Sequence, residues 1–317
     1  MIAFLVRRAV EVILTLAALM LAVFLVLRLA PGGPAQVLLG PDRYTPALEE
    51  RVNHSLGLDR SLPEQVVRWV RAVFAGELGT SYFHRRPASQ VVLERLGATL
   101  ILGGLSFGLS LAVGLSVGVL AAARRGSWID RMLSHGAVAV IATPSFWLGI
   151  GLILLCSVWL GILPSAGRAP IGQEGDLGAR LRYLILPVLT MAASHAASLA
   201  LYVRSALLEV LSSDFVRTAR AMGASARRVL WRHALSAAAV PIITLAALNL
   251  AHFLEGSIVV ETVFGWPGIG QLTTASVARR DYPVLLVISL WAGMVVVTAS
   301  LMADLLTRWL DPRTVEK

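Results

Sequence analysis

Residues 209–241 read EVLSSDFVRTARAMGASARRVLWRHALSAAAVP and lie between two long apolar segments. The stretch is dense in basic residues, since it carries five arginines against two acids, Glu209 and Asp214. The arginines are Arg217, Arg220, Arg227, Arg228 and Arg232. Short loops of bacterial membrane proteins that are rich in arginine face the cytoplasm. The charge therefore predicts a cytoplasmic loop between two membrane-spanning helices.

The same stretch predicts a helix, a sharp turn and a second helix. Before Gly223 the spacing is helical, with arginines on one side. The other side holds Phe215, Thr218, Ala219 and Met222. Glycine favours the left-handed conformation that ends a helix, and a serine hydroxyl can cap the next one. Gly223 is therefore expected to end the first helix and Ser225 to begin the second.

The stretch resembles the EAA loop of binding-protein-dependent ABC importers, in the form found in oligopeptide, dipeptide and nickel permeases. The matching residues are Asp214, Phe215, Arg217, Thr218, Ala219, Arg220, Ala221, Gly223, Arg232, His233, Ala234, Leu235 and Pro241. Arg217 and Thr218 stand where the general pattern has Glu and Ala, and Ser236 stands where it has Pro; these departures are typical of the peptide and nickel branch. The resemblance implies a coupling loop over 206–236 that contacts an ATP-binding partner. Its expected contact residues are Arg217, Thr218, Ala219, Arg220, Gly223, Ala224, Arg227 and Arg228.

Composition excludes an ordinary soluble protein, because 56% of the 317 residues are hydrophobic and 15% are charged. The net charge of +9 comes from basic residues near membrane ends, so we expect lipid contacts and no nucleic acid. A single cysteine, Cys156, excludes an internal disulfide. The only lysine is Lys317, so the chain has no Walker A lysine. We expect no cofactor in this chain, with ATP and magnesium held by partner subunits.

Apolar runs of about twenty residues predict membrane spans. Six such runs lie at roughly 9–29, 96–123, 133–160, 183–207, 237–260 and 284–306. The expected fold is all-α, with the six transmembrane helices of a type I ABC importer permease. Its parts are an uncleaved first helix (1–30), a helical extracytoplasmic segment (31–95), a core (96–310) and a cytoplasmic tail (311–317). Both termini are expected in the cytoplasm of a bacterial cell, with the chain in the inner membrane.

The extracytoplasmic segment is expected to be folded. Ser61 and Glu64 match a capping box, and Thr45 before Pro46 can open another helix. After Ser61, apolar residues recur at helical spacing: Val66, Val67, Val70, Val73 and Phe74. Residues 31–34, 56–65 and 76–81 also resemble the corresponding segments of the family.

Two sequences in the second span, GLSFG (104–108) and GLSVG (114–118), match the G-x-S-x-G pattern of serine hydrolases. That motif needs a strand and a strained turn, whereas small residues in an apolar helix let another helix approach closely. Packing is therefore favoured over catalysis. The rival hypothesis is an intramembrane hydrolase that pairs Ser106, Ser116 or Ser194 with His195 or His252. In the third span, Pro144 predicts a kink.

Polar residues inside spans are costly and mark functional sites. Asn249, His252 and Glu255 recur every three residues on the fifth span, and His195 lies on the fourth. As a set they are expected to line the translocation path, where they are candidates for contact with cargo. The alternative for each residue is a hydrogen-bonded pair that fixes helix packing. If the cargo were a metal, His195, His252 and Glu255 would be its ligands. Peptide is favoured as cargo, with nickel or a metal chelate second.

The segment VETVFGWPGIG (260–270) and the later RDYP (280–283) also resemble the family. Tight glycine-rich backbone at membrane depth must face protein or water, so this hairpin is expected at the outer entrance. Its expected residues are Glu261, Trp266, Pro267, Gly268, Gly270 and Asp281. The alternative is an ordinary turn with a tryptophan at the membrane interface.

These features favour a permease subunit of an ATP-driven importer. The resemblance implies a second permease, two ATP-binding subunits and an extracytoplasmic substrate-binding protein as partners. A channel or ion-driven carrier is a further alternative, which leaves the arginine-rich loop unexplained.

Overall fold

The computed structural model describes residues 2–29, 33–170, 172, 175–254 and 257–310. Within these ranges the chain forms helices and turns, without a β-strand. The first helices are α1 Ile2–Leu29, α2 Pro34–Arg43, α3 Pro46–Leu56, α4 Leu62–Phe74, α5 Ala88–Ala123, α6 Trp128–Ala142 and α7 Ser145–Leu152, which continues as π-helix Ile153–Trp159. They are followed by α8 Leu177–Leu211, α9 Asp214–Ala221, α10 Ala226–Arg228, a π-helix Val229–Ala234, α11 Leu235–Leu254, α12 Ile258–Val263, α13 Ile269–Ala278 and α14 Tyr282–Leu310.

The prediction of six spans is confirmed if the third is counted as a broken one. Five helices are long and apolar enough to cross a membrane. The pair α6 and α7 passes the same test together, but its two halves are bent by 102°. Proline has no backbone N–H to donate, so Pro144 interrupts the helical hydrogen bonds at this point. The predicted kink is therefore a complete break of the helix.

Several predicted helix ends are wrong. Helix α5 begins at Ala88 rather than Leu96, and α8 begins at Leu177 rather than Tyr183. Helix α11 ends at Leu254, and a separate helix starts after Ser257, whose hydroxyl accepts a hydrogen bond from the N–H of Val260 at 3.1 Å. Hydropathy does not register such caps. A prediction from hydropathy therefore makes helices with polar ends too short, and it joins two helices that follow each other closely.

The chain packs as two compact units. The first comprises Met1–Ala98 with Gly268–Val297, and the second comprises Thr99–Pro267 with Thr298–Lys317. Helices α5 and α14 each contribute to both units.

In the first unit, one apolar core joins the start of α5 to α13 and α14, through Val91, Leu272 and Val284. A second core joins α1 to α4, where the rings of Phe24 and Trp69 lie 5.7 Å apart. The helical segment between α1 and α5 is thus anchored on the last turns of the candidate span α1.

The helix starts of this segment are only partly as predicted. The Thr45 hydroxyl accepts a hydrogen bond from the N–H of Leu48 at 3.3 Å, which confirms that cap. The capping box at Ser61 and Glu64 is wrong, because the Ser61 side chain makes no capping hydrogen bond. Instead, the Gln65 amide donates to the carbonyls of Leu58 and Arg60, at 3.1 and 2.7 Å, and holds the turn before α4.

The apolar spacing of α4 does not mark a single buried face. Val66 packs into the core, whereas Val67, Val70 and Phe74 are exposed. The helix therefore presents an apolar stripe to its surroundings.

In the second unit, α8 is the central helix, and α6, α7 and α11 pack around it. Glycines of α5 allow the closest approaches. A Cβ at Gly114 would lie 2.9 Å from the carbonyl oxygen of Ala196, and one at Gly118 would lie 2.6 Å from that of Ala200. Gly103 lies directly against the carbonyl of Phe253 on α11.

The packing prediction is therefore correct for GLSVG and wrong for the glycines of GLSFG. Gly104 and Gly108 have open space where a Cβ would stand. Ser106, between them, is fully buried within α5, and Ser116 is exposed on the same helix. Since both serines lie inside one continuous helix, neither has the strand and turn that a hydrolase elbow requires.

Candidate functional site

The arginine-rich loop has the predicted helix–turn–helix form. Helix α9 ends in a turn where Gly223 has a φ of +85°, in the left-handed region. The N–H of Ala224 donates to the carbonyl of Ala219 at 3.1 Å, which is the long hydrogen bond typical of a glycine-ended helix. The Ser225 hydroxyl then accepts from the N–H of Arg228 at 3.4 Å. Both predicted caps are confirmed.

The buried side of α9 is not the side on which the sequence places Phe215, Thr218 and Met222. Val216 and Ala219 are buried, whereas 49% of Phe215 and 78% of Met222 are exposed. The predicted apolar side, with Phe215, Thr218 and Met222, thus points away from the rest of the chain. Ala219 packs inward, so it supports the turn and does not present a contact surface.

The expected contact residues are otherwise accessible. Ala224 is half-buried, and the exposed arginines of the loop are Arg217, Arg220, Arg227, Arg228 and Arg232. Arg217 makes an exposed ion pair with Asp214, one turn earlier, at 3.1 Å. Together with Phe215, Met222 and the exposed ring of Trp231, the arginines form a surface that is both cationic and apolar. Such a surface suits a protein partner with an acidic, partly apolar groove.

An ion pair that was not predicted joins α6 to α8, the helix that leads into this loop. Asp130, in the first turn of α6, is buried and accepts hydrogen bonds from Arg204 on α8 and from the N–H of Gly126. A signal was present, because Asp130 and Arg204 are charged residues in predominantly apolar helices. Their pairing joins positions 74 residues apart, which spacing along the chain cannot reveal.

A cavity of about 340 Å³ lies in the second unit, where α7, α8, α11 and α12 meet. Its polar lining consists of Ser145, Thr190, Ser194, His195, His252 and Ser257. The imidazole rings of His195 and His252 are stacked with centroids 6.4 Å apart, and His195 also contacts the ring of Phe253 at 4.4 Å. The structure therefore brings the two histidines to one space, as expected.

The other two members of the polar stripe are not placed there. Asn249 is half-buried and does not line the cavity, and Glu255 lies outside the described residues. Within the described ranges, no group of three His, Cys, Asp or Glu side chains is arranged to hold a metal ion. Two imidazoles among hydroxyls form a lining that can donate and accept hydrogen bonds. Such a lining suits amides and termini of a peptide as well as a metal.

The residues of the predicted entrance hairpin are divided between the two units. In the second unit, the carboxylate of Glu261 accepts a hydrogen bond from the Thr99 hydroxyl at 2.9 Å, and the carbonyl of Phe264 accepts from the N–H of Gly167 at 2.8 Å. Glu261 and Trp266 are fully buried, and Pro267 is half-buried. The alternative of an interfacial tryptophan is therefore wrong, and these side chains shape the packing of the turn.

In the first unit, Gly268 and Gly270 are buried at the start of α13, and Asp281 is buried just before α14. The Asp281 carboxylate accepts hydrogen bonds from the Ser81 hydroxyl and from the N–H groups of Tyr82, at 3.1 Å, and Phe83, at 3.4 Å. Asp281 therefore fixes the turn that precedes α5.

Comparisons with known proteins agree with this architecture. Residues 114–316 match the family described as binding-protein-dependent transport system inner membrane component, and residues 1–103 match the N-terminal family of the same membrane components. The chain is 36% identical over 314 residues to the oligopeptide transport system permease protein AppB of Bacillus subtilis, covering 99% of each chain. It is 36% identical to the probable D,D-dipeptide transport system permease protein DdpB of Escherichia coli, covering 97% of this chain and 96% of that protein.

Solved structures share the fold. A chain of the MetNI methionine ABC transporter in an inward-facing conformation superposes with a TM-score of 0.59 at 20% sequence identity. The match covers 71% of the present chain and 98% of the transporter chain.

Proposed function

Because this chain belongs to the family of binding-protein-dependent transport system inner membrane components, we propose that it lines the path of an ATP-driven importer of di- and oligopeptides. It is a multi-pass inner-membrane protein and the permease of such a system. The peptide relatives named above support the cargo. The arginine-rich loop between the fourth and fifth spans is proposed to face the cytoplasm, in agreement with the positive-inside rule. In a chain with six spans, both termini then lie on that same side.

The observation that carries the proposal is the exposed helix–turn–helix around Gly223. Its arginines and its apolar side chains Phe215 and Met222 are accessible, and its shape is fixed by Gly223 and Ser225. Since the chain has no lysine before Lys317, a partner must bind the ATP. In this proposal the ATP-binding subunit binds the loop. When the nucleotide sites close, the loop moves together with the helices on either side of it.

The full assembly is proposed to contain a second permease, two ATP-binding subunits with ATP and magnesium, and an extracytoplasmic substrate-binding protein. The cavity at His195 and His252 is proposed to contact the cargo as it crosses. The six residues expected at the entrance are proposed to hold the outer turn in place, since most of them are buried.

Reconstitution tests the proposal. The complete complex in proteoliposomes, with the binding protein outside and ATP inside, is expected to accumulate labelled dipeptide. The same vesicles are expected to leave nickel outside. Transport by this chain without ATPase subunits would overturn the importer assignment, and nickel uptake in place of peptide uptake would overturn the cargo.

A further inference from the structure

A larger cavity, of about 780 Å³, lies wholly within the first unit. Its floor is apolar and includes Phe24 and Leu27 of α1, Trp69 of α4 and Leu286 of α14. None of the proposed path, coupling or entrance residues lines it. Its chemistry therefore calls for a separate explanation.

Four arginines line this cavity against one carboxylate, that of Glu77. They are Arg28, Arg60, Arg68 and Arg85. Across the part of the chain that the structure describes, none of the four makes an ion pair with a carboxylate. Arg28 is half-buried and instead lies over the rings of Phe24 and Tyr282, at 5.3 and 5.7 Å. A concave surface that carries four guanidinium groups and one carboxylate attracts an anion.

The position of the cavity indicates what kind of anion. Arg28 is the next-to-last residue of the apolar span Val10–Leu29, and Tyr282 is the first residue of the span Tyr282–Ala303. The cavity therefore opens where two spans leave the hydrocarbon layer. Lipid phosphates lie at this level, and tryptophan and tyrosine are enriched there. Trp69, Tyr82 and Tyr282 all line the cavity.

The lining has a charged part and an apolar part, as the binding of an amphiphile requires. Arg60, Arg68 and Arg85 are exposed at the rim, while Phe24 and Leu286 are buried in the floor. Burial raises the pKa of the Tyr82 phenol to about 12, so it remains a hydrogen-bond donor at neutral pH. A free anion would use the rim and leave the apolar floor unused.

We propose that this cavity binds an anionic phospholipid, with its phosphate among the arginines and an acyl chain along Phe24, Leu27 and Leu286. The bound lipid would join the folded extracytoplasmic segment to the ends of α1 and α14. This role is independent of the cargo and of the ATPase contacts.

Native mass spectrometry of the assembled complex tests the proposal with dioleoylphosphatidylglycerol as the probe. One arginine near a phosphate contributes about 1 kcal/mol, or roughly fivefold in affinity. The double variant Arg28→Gln/Arg68→Gln is therefore expected to bind the lipid about 25-fold more weakly than the wild type. The matched control is Arg51→Gln/Arg71→Gln, which removes the same charge from exposed positions outside the cavity.

Lipid binding by the control should equal that of the wild type. Equal loss in both double variants, or no loss in either, would refute the site. Two further probes separate the possible sources of the anion. Inorganic phosphate that displaces the lipid at similar concentration would overturn the lipid assignment, as would equally tight binding of dioleoylphosphatidylcholine. Size-exclusion profiles identical to the wild type would show that the variants assemble.

Discussion

The guanidinium of Arg204 on α8 donates hydrogen bonds to both carboxylate oxygens of Asp130 on α6, with Nε–Oδ1 and Nη2–Oδ2 distances of 2.6 and 2.9 Å. Asp130 is 2% exposed and also accepts a hydrogen bond from the N–H of Gly126 at 2.9 Å. A paired, bidentate contact of this kind fixes the relative position of two helices. The pair thus secures the turn between α5 and α6 to the central helix of its unit.

Replacing Arg204 by Gln should destabilise the protein, because the Asp130 carboxylate stays buried without its charged partner. The expected cost is about 2 kcal/mol, which corresponds to a fall of several degrees in Tm. Thermal unfolding of the purified complex measures it. The control is Arg86→Gln, which breaks the solvent-exposed pair of Arg86 and Glu94 and should leave Tm unchanged. A Tm for Arg204→Gln that equals the control would contradict the structural role.

Close packing of α5 on α8 gives a second prediction. A Cβ at Gly118 would stand 2.6 Å from the carbonyl oxygen of Ala200 and 2.7 Å from the Cβ of Val203. Because backbone atoms cannot yield cheaply, Gly118→Ala should destabilise the protein by about 1 to 3 kcal/mol.

The same substitution at Gly108 provides the control, since nothing lies within 4 Å of a Cβ there. Alanine also has the better helix propensity, so Gly108→Ala should be neutral or slightly stabilising. Thermal unfolding of both variants checks the pair. If both changed Tm alike, the contact between α5 and α8 would be wrong.

Much of the fold follows from the sequence because hydropathy and charge act along the chain. The apolar runs located the spans, Pro144 located the break, and Gly223 with Ser225 located the turn of the loop. Each of these features depends on a residue and its near neighbours. The correct parts of the prediction are thus the ones that a single segment determines.

The rest depends on which segments meet. Phe215 and Met222 have the spacing of a buried face, yet Val216 and Ala219 are the buried residues of α9. Gly108 and Gly118 both end a G-x-S-x-G motif, but only Gly118 lies against another helix. The pairing of Asp130 with Arg204 and the binding of Asp281 to residues 81–83 join distant positions, so spacing could not predict them.

The buried carboxylate of Asp281 leads to a prediction about the turn at 80–87. Its carboxylate accepts hydrogen bonds from Ser81, Tyr82 and Phe83. Asp281→Ala removes all of these acceptors, so the turn should open more often and trypsin should cut faster after Arg85. Limited proteolysis followed by mass spectrometry measures this rate. The helix-cap variant Asp176→Ala, which loses a hydrogen bond from Gly178, should leave cleavage at the turn unchanged. Unchanged cleavage in Asp281→Ala would show that Asp281 does not hold the turn.

The cavity at His195 and His252 leads to a prediction about cargo. Ser194→Leu places a larger apolar side chain in the lining and should lower dipeptide uptake about tenfold, while the complex assembles normally. Uptake by proteoliposomes is the measurement. The neighbouring substitution Ala193→Leu adds a similar volume at a half-buried position outside the lining and should have a smaller effect. The reverse order of effects would remove this cavity from the path.

Gly223 has a φ of +85°, which disfavours any residue with a branched Cβ. Space is not the obstacle, because no atom lies within 4 Å of a Cβ built at this position. Gly223→Val should therefore act through the backbone conformation, which costs about 1 to 2 kcal/mol for a residue forced into the left-handed region. The turn should change shape, so uptake should fall strongly while the chain still reaches the membrane.

Gly223→Asn distinguishes conformation from size, because asparagine tolerates the left-handed region better than other residues with a side chain. It should retain most of the uptake. ATP hydrolysis measured beside transport then separates two causes of failure: stimulated hydrolysis without transport in Gly223→Val indicates a broken coupling turn, whereas loss of the ATP-binding subunit from the complex indicates a broken contact. Wild-type uptake in Gly223→Val would remove the turn from the coupling mechanism, since a displaced turn could not then be what transmits the motion.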